Sequence, residues 1–105
     1  MKKELLPIGT VVLLKGGLKK VMITGYFTKT LKADKIYDYN GCIFPEGLME
    51  NIYTLFDANQ IDKVFYEGLN NKEYVDYVKY IKELYKKKNN KTYKFDFGLS
   101  DESKK

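Results

Sequence analysis

The sequence predicts a single α+β domain: a small curled antiparallel β-sheet or partial barrel of about five strands, with one amphipathic helix near the C-terminus. Two observations predict this class. Short β-branched and aromatic runs, separated by glycines and turn residues, fill the first two thirds of the chain, and a segment with helical periodicity follows. A length of 105 residues fits one core. We expect the domain to span residues 1–98 and residues 99–105 to form a frayed tail.

The first two strands are predicted to form a hairpin. The run GTVVLLK ends at Gly16-Gly17, and the run KKVMITGYFTK follows it. A Gly-Gly pair between two such runs favours a tight turn, because glycine supplies the positive φ that the turn requires. Gly25 inside the second run predicts a bulge or a bend.

The run KIYDYNGCIF predicts a third strand. Asn40-Gly41 is also typical of a tight hairpin. Only three residues remain before the turn residues Pro45, Glu46 and Gly47, however, so we favour one strand that is kinked at Gly41.

Three further strands are indicated. YTLF predicts a short strand, and IDKVFYEG a longer one whose buried side chains would be Ile61, Val64 and Tyr66. Near the C-terminus, the run TYKFDFG alternates aromatic with polar residues, which is typical of a half-buried strand.

A helix is predicted after Asn70, because Asn70 and Glu73 form a capping-box-like start. One face carries the apolar side chains, namely Tyr74, Tyr77, Val78, Ile81, Leu84 and Tyr85. The opposite face carries the charged side chains, namely Lys72, Asp76, Lys79, Glu83 and Lys86. We expect the apolar face to cover the open side of the sheet and Tyr80 to lie at its rim. The alternative is that the helix tyrosines bind a partner.

Composition argues against several classes of chemistry. All 19 basic residues are lysines, and the chain has no histidine. It therefore lacks the usual proton shuttle, the imidazole metal ligand and the guanidinium fork that recognises phosphate or guanine. The net charge of +5 is spread along the chain among 14 carboxylates, which favours solvated lysines over a basic binding site.

The segment YDYNGCIFPEG contains the most reactive residues of the chain. Cys42 lacks a histidine base, and its place in a strand predicts a small buried hydrophobe. Asp38 and Glu46 resemble the paired carboxylates of glycosidases, but Asp38 points away from Tyr37 and Tyr39, which predicts a solvated side chain. We therefore expect no enzyme, no catalytic residue, no metal site and no cofactor.

The N-terminal segment resembles a signal peptide only superficially. Glu4, Pro7 and Gly9 interrupt its apolar run, and no small-residue cleavage site follows. A single cysteine excludes an internal disulfide. We expect a soluble, cytoplasmic protein.

Single-stranded nucleic acid is an alternative partner, because curled sheets often hold it with exposed aromatic residues and lysines. The candidates for stacking are Tyr26, Phe27, Tyr37, Tyr39 and Phe44. The missing arginines and the lack of an RNP-like motif weigh against this hypothesis.

Three motifs in order carry a resemblance to a known family: LPIGTVVLLKGGLKKVMITGY, then KIYDYNGCIFPEG, then LFDANQIDKVFYEG. Together they resemble a family of small uncharacterised domains of Gram-positive bacteria, whose genes often lie beside LXG toxins of type VII secretion. The resemblance covers Leu5 to Gly68. Asn40 departs from it, since the family tends to carry an apolar residue there. The resemblance implies an accessory role in secretion and no catalytic residues.

The function we predict is that of a non-enzymatic protein-binding accessory factor, a cytoplasmic chaperone or adaptor for an LXG toxin. The alternatives are a nucleic-acid-binding module and an immunity protein that neutralises a toxin. The predicted partner is another protein, such as a secreted toxin or its targeting factors, and not a membrane. The candidate contact residues are Tyr37, Tyr39, Phe44, Tyr53 and Tyr80. A sheet edge such as YTLF is where a second chain would add.

Overall fold

The computed structural model of the protein describes residues 5–30, 34–50 and 52–90, with side chains as far as residue 86. Five antiparallel strands form one sheet in the order β4-β3-β2-β1-β5. The elements are β1 Val11–Leu14, β2 Lys20–Lys29, β3 Ile36–Phe44, β4 Thr54–Phe56, β5 Ile61–Tyr66 and α1 Lys72–Asn90, with a 3-10 turn at Ala58–Gln60. The predicted fold class is confirmed. The strand predicted at residues 92–98 and the tail 99–105 lie outside the described residues.

The β1–β2 hairpin and the bulge in β2 form as predicted. Gly16 has a φ of 78°, and the N–H of Gly17 donates to the carbonyl of Leu14 over 2.9 Å, which closes the turn. The register between β2 and β3 shifts between Ile23 and Gly25. The sequence predicted a kink in β3 at Gly41, whereas the register shift of this strand pair lies in the neighbouring strand, β2.

β3 is one continuous strand, as predicted, and not a hairpin at Asn40-Gly41. Gly41 is required by close packing, because a Cβ there would lie 2.6 Å from the carbonyl oxygen of Met22. Beyond β3, Gly47 has a φ of 84° and donates its N–H to the carbonyl of Ile43 over 2.8 Å. The predicted turn at Pro45, Glu46 and Gly47 is confirmed.

The expected burial of β5 is wrong. Val64 and Tyr66 are at least half exposed, and Ile61 is only partly buried. Among the residues that the structure describes, β5 is an edge strand that pairs only with β1, and its register shifts twice along that pairing. Bulges of this kind break the alternation of side chains between two faces. The strand therefore has no consistently buried face.

The core of the sheet extends into the N-terminal segment, which tyrosine hydroxyls hold in place. The N–H of Leu6 donates to the hydroxyl of Tyr39 over 2.9 Å, and the hydroxyl of Tyr26 donates to the carbonyl of Leu6 over 2.6 Å. The hydroxyl of Tyr74 donates to the carbonyl of Leu5. The buried residues of this part of the chain are Leu5, Pro7, Thr10, Val11, Val12, Val21, Ile23, Tyr26, Phe27, Tyr39, Cys42 and Phe56.

One compact unit extends to Tyr74, and a second begins at Val75 inside the helix. The N-cap is Asn71 and not the predicted Asn70, because the N–H of Tyr74 donates to the side-chain oxygen of Asn71 over 3.0 Å. The predicted charged face is confirmed and the apolar face is confirmed in part, because Tyr77 is exposed. Val78, Ile81 and Leu84 are buried, and the five charged residues of the opposite face are exposed. That the chain forms one domain, with this helix covering the sheet, stays a prediction.

Candidate protein-binding surface

The connection from β3 to β4 exposes a series of large apolar side chains. Each of them has between 41% and 69% of its surface exposed to solvent. We call this series the β3–β4 patch, and its members are Phe44, Leu48, Met49, Ile52 and Tyr53. Five exposed large apolar residues within one short connection differ from the single exposed apolar residues that are normal at a surface, and clustered exposure of this kind marks protein-interaction sites.

Hydrogen bonds fix the backbone that carries the patch. Met49 and Ile52 form an isolated antiparallel bridge, and the N–H of Ile52 donates to the carbonyl of Met49 over 2.9 Å. Glu50 adopts a φ of 51° within this turn. This contact links the two halves of the patch, before and after the turn.

One ion pair anchors the start of the patch. The ammonium of Lys19, next to β2, lies 2.8 Å from the carboxylate of Glu46. The hydrogen bond from Lys19 lowers the pKa of Glu46, so this carboxyl stays ionised at neutral pH. Both side chains are partly exposed, and the pair contributes little to stability.

Two of the five predicted contact residues, Phe44 and Tyr53, belong to this patch. Tyr37 is partly buried, and the ammonium of Lys35 lies 4.9 Å from the centre of its ring. Tyr80 is half exposed on the helix. Tyr37 and Tyr80 are therefore accessible to different degrees, and Tyr80 lies on a different element from the patch.

Tyr39 does not belong to any contact surface, because it is only 1% exposed. Its ring packs between those of Tyr26 and Phe56, with centroid distances of 6.0 and 5.3 Å. Burial raises the pKa of the Tyr39 hydroxyl, and the hydrogen bond from Leu6 opposes that shift. The side chain is a structural element of the core.

The surface proposed for stacking nucleic-acid bases is largely missing. Three of its five candidates, Tyr26, Phe27 and Tyr39, are buried. A base cannot stack on a ring that core side chains already cover. The remaining two candidates are Tyr37 and Phe44.

Sequence analysis missed three members of the patch, namely Leu48, Met49 and Ile52. The run GLMENIY follows a turn, and its apolar residues have the spacing of one helical face, although the described residues of this segment form no helix. Such spacing predicts a buried face, so the exposure of these side chains could not be predicted from the sequence.

Asp38 is not simply solvated, as the alternation of the strand had predicted. Its carboxylate accepts a hydrogen bond from the N–H of Ala58 over 2.8 Å. In return, the N–H of Asp38 donates to the carboxylate of Asp57 over 3.0 Å, and Asp57 forms an ion pair with Lys35 at 2.8 Å. Asp38 therefore ties β3 to the turn before β5.

The reactive residues of YDYNGCIFPEG take separate structural places. Cys42 is 2% exposed, which confirms that it is a small buried hydrophobe. Asp38 and Phe44 are separated by six residues of extended strand, roughly 20 Å, so the carboxylate of Asp38 is far from the turn that holds Glu46. Paired carboxylates of a glycosidase require less than half of that distance.

The described ranges contain neither a metal-binding cluster nor a helix that could span a membrane. Among those residues no group of three or more cysteine or carboxylate side chains is placed to hold a metal ion. Within the same ranges, no helix combines the length and the apolar character needed to cross a bilayer.

A known family matches most of the chain. Residues 5–77 match the family described as Domain of unknown function (DUF4176). The chain belongs to this family. No curated protein and no solved structure matches the chain. The DUF4176 match includes all five strands and the start of the helix, so the β3–β4 patch lies inside the family's domain.

Proposed function

We propose that this DUF4176 protein is a non-enzymatic accessory factor that binds another protein, acting as a cytoplasmic chaperone or adaptor for an LXG toxin of type VII secretion. The β3–β4 patch is the observation that supports protein binding. The partner class rests on the resemblance of the three sequence motifs to domains encoded beside such toxins.

The composition of the patch fits a protein interface. It combines two aromatic residues with a methionine and two aliphatic residues, and such interface centres are enriched in aromatic residues and methionine and poor in charge. Methionine adapts its shape to different partners, as a chaperone surface requires.

The neighbouring sheet edge supplies a second means of contact. β4 follows directly after Tyr53 and lies at one end of the sheet, where β3 is its only partner strand in the described part of the chain. An extended segment of the partner would add to β4 through main-chain hydrogen bonds while its apolar side chains contact the patch.

Affinity purification of the tagged protein from its own host, at moderate salt, tests this proposal. We expect an LXG toxin or a secretion component to co-purify in stoichiometric amount. Nucleic acid that dissociates as salt is raised would replace the proposal with the nucleic-acid hypothesis. If neither is recovered at a tag position that leaves the protein folded, the proposed partner is wrong.

Truncation of the recovered toxin separates a chaperone from an immunity protein. A chaperone or adaptor would bind and stabilise the LXG region or the whole toxin without abolishing its activity. An immunity protein would bind the toxic C-terminal domain alone and inhibit it.

A further inference from the structure

The edge strand β5 exposes three consecutive apolar side chains, on the other end of the sheet from β4. Val64, Phe65 and Tyr66 each have at least half of their surface exposed. We call these three residues the β5 patch. Three consecutive exposed apolar residues on a sheet edge favour aggregation unless another surface covers them.

Two bulges in β5 explain the exposure and constrain the kind of contact. The residues that pair with β1 skip Phe65 and then Asp62. Bulged edges discourage a continuous main-chain ladder with another strand. A partner on this edge is therefore held by side chains more than by added sheet hydrogen bonds.

The charges around the patch are arranged symmetrically about Phe65. Lys63 lies two positions before Phe65 and Glu67 lies two positions after it, and both are exposed. Neither residue forms an ion pair within the described ranges of the chain. The segment from Lys63 to Glu67 thus carries opposite charges at its two ends and apolar residues between them.

We propose that a second copy of this chain covers the β5 patch, with the two β5 strands antiparallel and a two-fold axis at Phe65. In this arrangement Lys63 of each copy faces Glu67 of the other, so two ion pairs form. A parallel arrangement would bring like charges together. Two-fold contacts use the same patch on both subunits, and this patch is complementary to itself.

The residues next to this segment are compatible with the arrangement. The ammonium of Lys20 lies 4.6 Å from the centre of the Phe65 ring, which covers one face of that ring. Asp62, three positions before Phe65, would face Gly68, three positions after it, so no carboxylates meet. The dimer goes beyond the proposed function and does not depend on it.

Sedimentation equilibrium of the whole chain tests the dimer. Stable interfaces bury about 800 Å² on each partner, and a strand of this length offers less, so the dimer should be weak. The protein concentration should therefore extend from about 10 µM to 1 mM. We expect a reversible monomer–dimer equilibrium within that range. A chain that remains monomeric to the upper limit would overturn the proposal.

Charge reversal tests the antiparallel pairing. K63E or E67K alone places like charges at both ends of the contact and should weaken the dimer by about tenfold or more. The double variant K63E/E67K restores both pairs and should dimerise like wild type. An equimolar mixture of the two single variants should form the heterodimer for the same reason.

Two matched controls separate this contact from general charge or apolar effects. K79E makes the same charge change on the exposed face of the helix and should leave the dimer unchanged. F65S should abolish the dimer, whereas L48S, in the β3–β4 patch, should not. A dimer that survives K63E and F65S, in variants with wild-type circular dichroism, would show that another surface is responsible.

Discussion

Asn40 is a polar residue within β3 whose side chain is fully hydrogen-bonded by two threonines of β2. Its side-chain amide donates to the hydroxyl of Thr28 over 2.6 Å, and its side-chain oxygen accepts from the hydroxyl of Thr24. Thr24 lies in the bulge of β2, opposite Asn40. Both polar atoms of the Asn40 side chain therefore have a partner, one of them a hydroxyl in the bulge.

Tyr39 should make the stability of the protein depend on alkaline pH. Its pKa is raised by burial, so the folded state holds the hydroxyl proton more tightly than the unfolded state does. This contribution is fully present below about pH 10, the ordinary pKa of tyrosine, and is lost as the pH rises through the folded value. Y39F should therefore flatten the fall in unfolding free energy above that pH.

Urea unfolding of wild type and Y39F across pH 7 to 11 measures this difference. At neutral pH, Y39F should also lose about 1 kcal/mol, because the N–H of Leu6 loses its acceptor. Y53F, which alters a half-exposed tyrosine, serves as the matched control. Equal pH slopes for Y39F and wild type would contradict the assigned role of burial.

At the scale of elements, local patterns predicted most of the strands and the helix. The glycine pairs and turn residues bound β1, β2 and β3, and the 3.6-residue period identified both faces of the helix. The burial of β5 could not be predicted in this way. Its side chains are exposed because β5 lies at an edge and bulges against β1, and both properties depend on which strand is its neighbour.

The helix start gives a prediction with an internal control. N71A should lower the free energy of unfolding by about 1 kcal/mol, because the N–H of Tyr74 loses the side-chain oxygen that caps it. N70A should have little effect, since Asn70 is exposed and the cap belongs to the next residue. Thermal and urea unfolding of the two variants measure the difference. A larger loss of unfolding free energy in N70A than in N71A would show that the helix begins where the sequence predicted.

For the whole molecule, the sequence predicted only in part which aromatic residues are exposed. Aromatic residues were correctly expected at the surface in Phe44, Tyr53 and Tyr80, but Tyr39 is buried between two other rings. The difference arises because a tyrosine on a strand can face either side, and the sequence does not say which side the N-terminal segment covers.

The most direct test of the proposed function compares how much toxin or secretion component the wild type and a β3–β4 patch variant recover from the host. The double variant L48S/I52S removes two exposed apolar side chains from the patch, and L18S removes one that is 98% exposed elsewhere. We predict at least a tenfold lower recovery with L48S/I52S, from roughly 1.5 kcal/mol of lost apolar burial, and unchanged recovery with L18S. Undiminished recovery of the partner by a folded L48S/I52S protein would contradict the assignment of this patch as the binding surface.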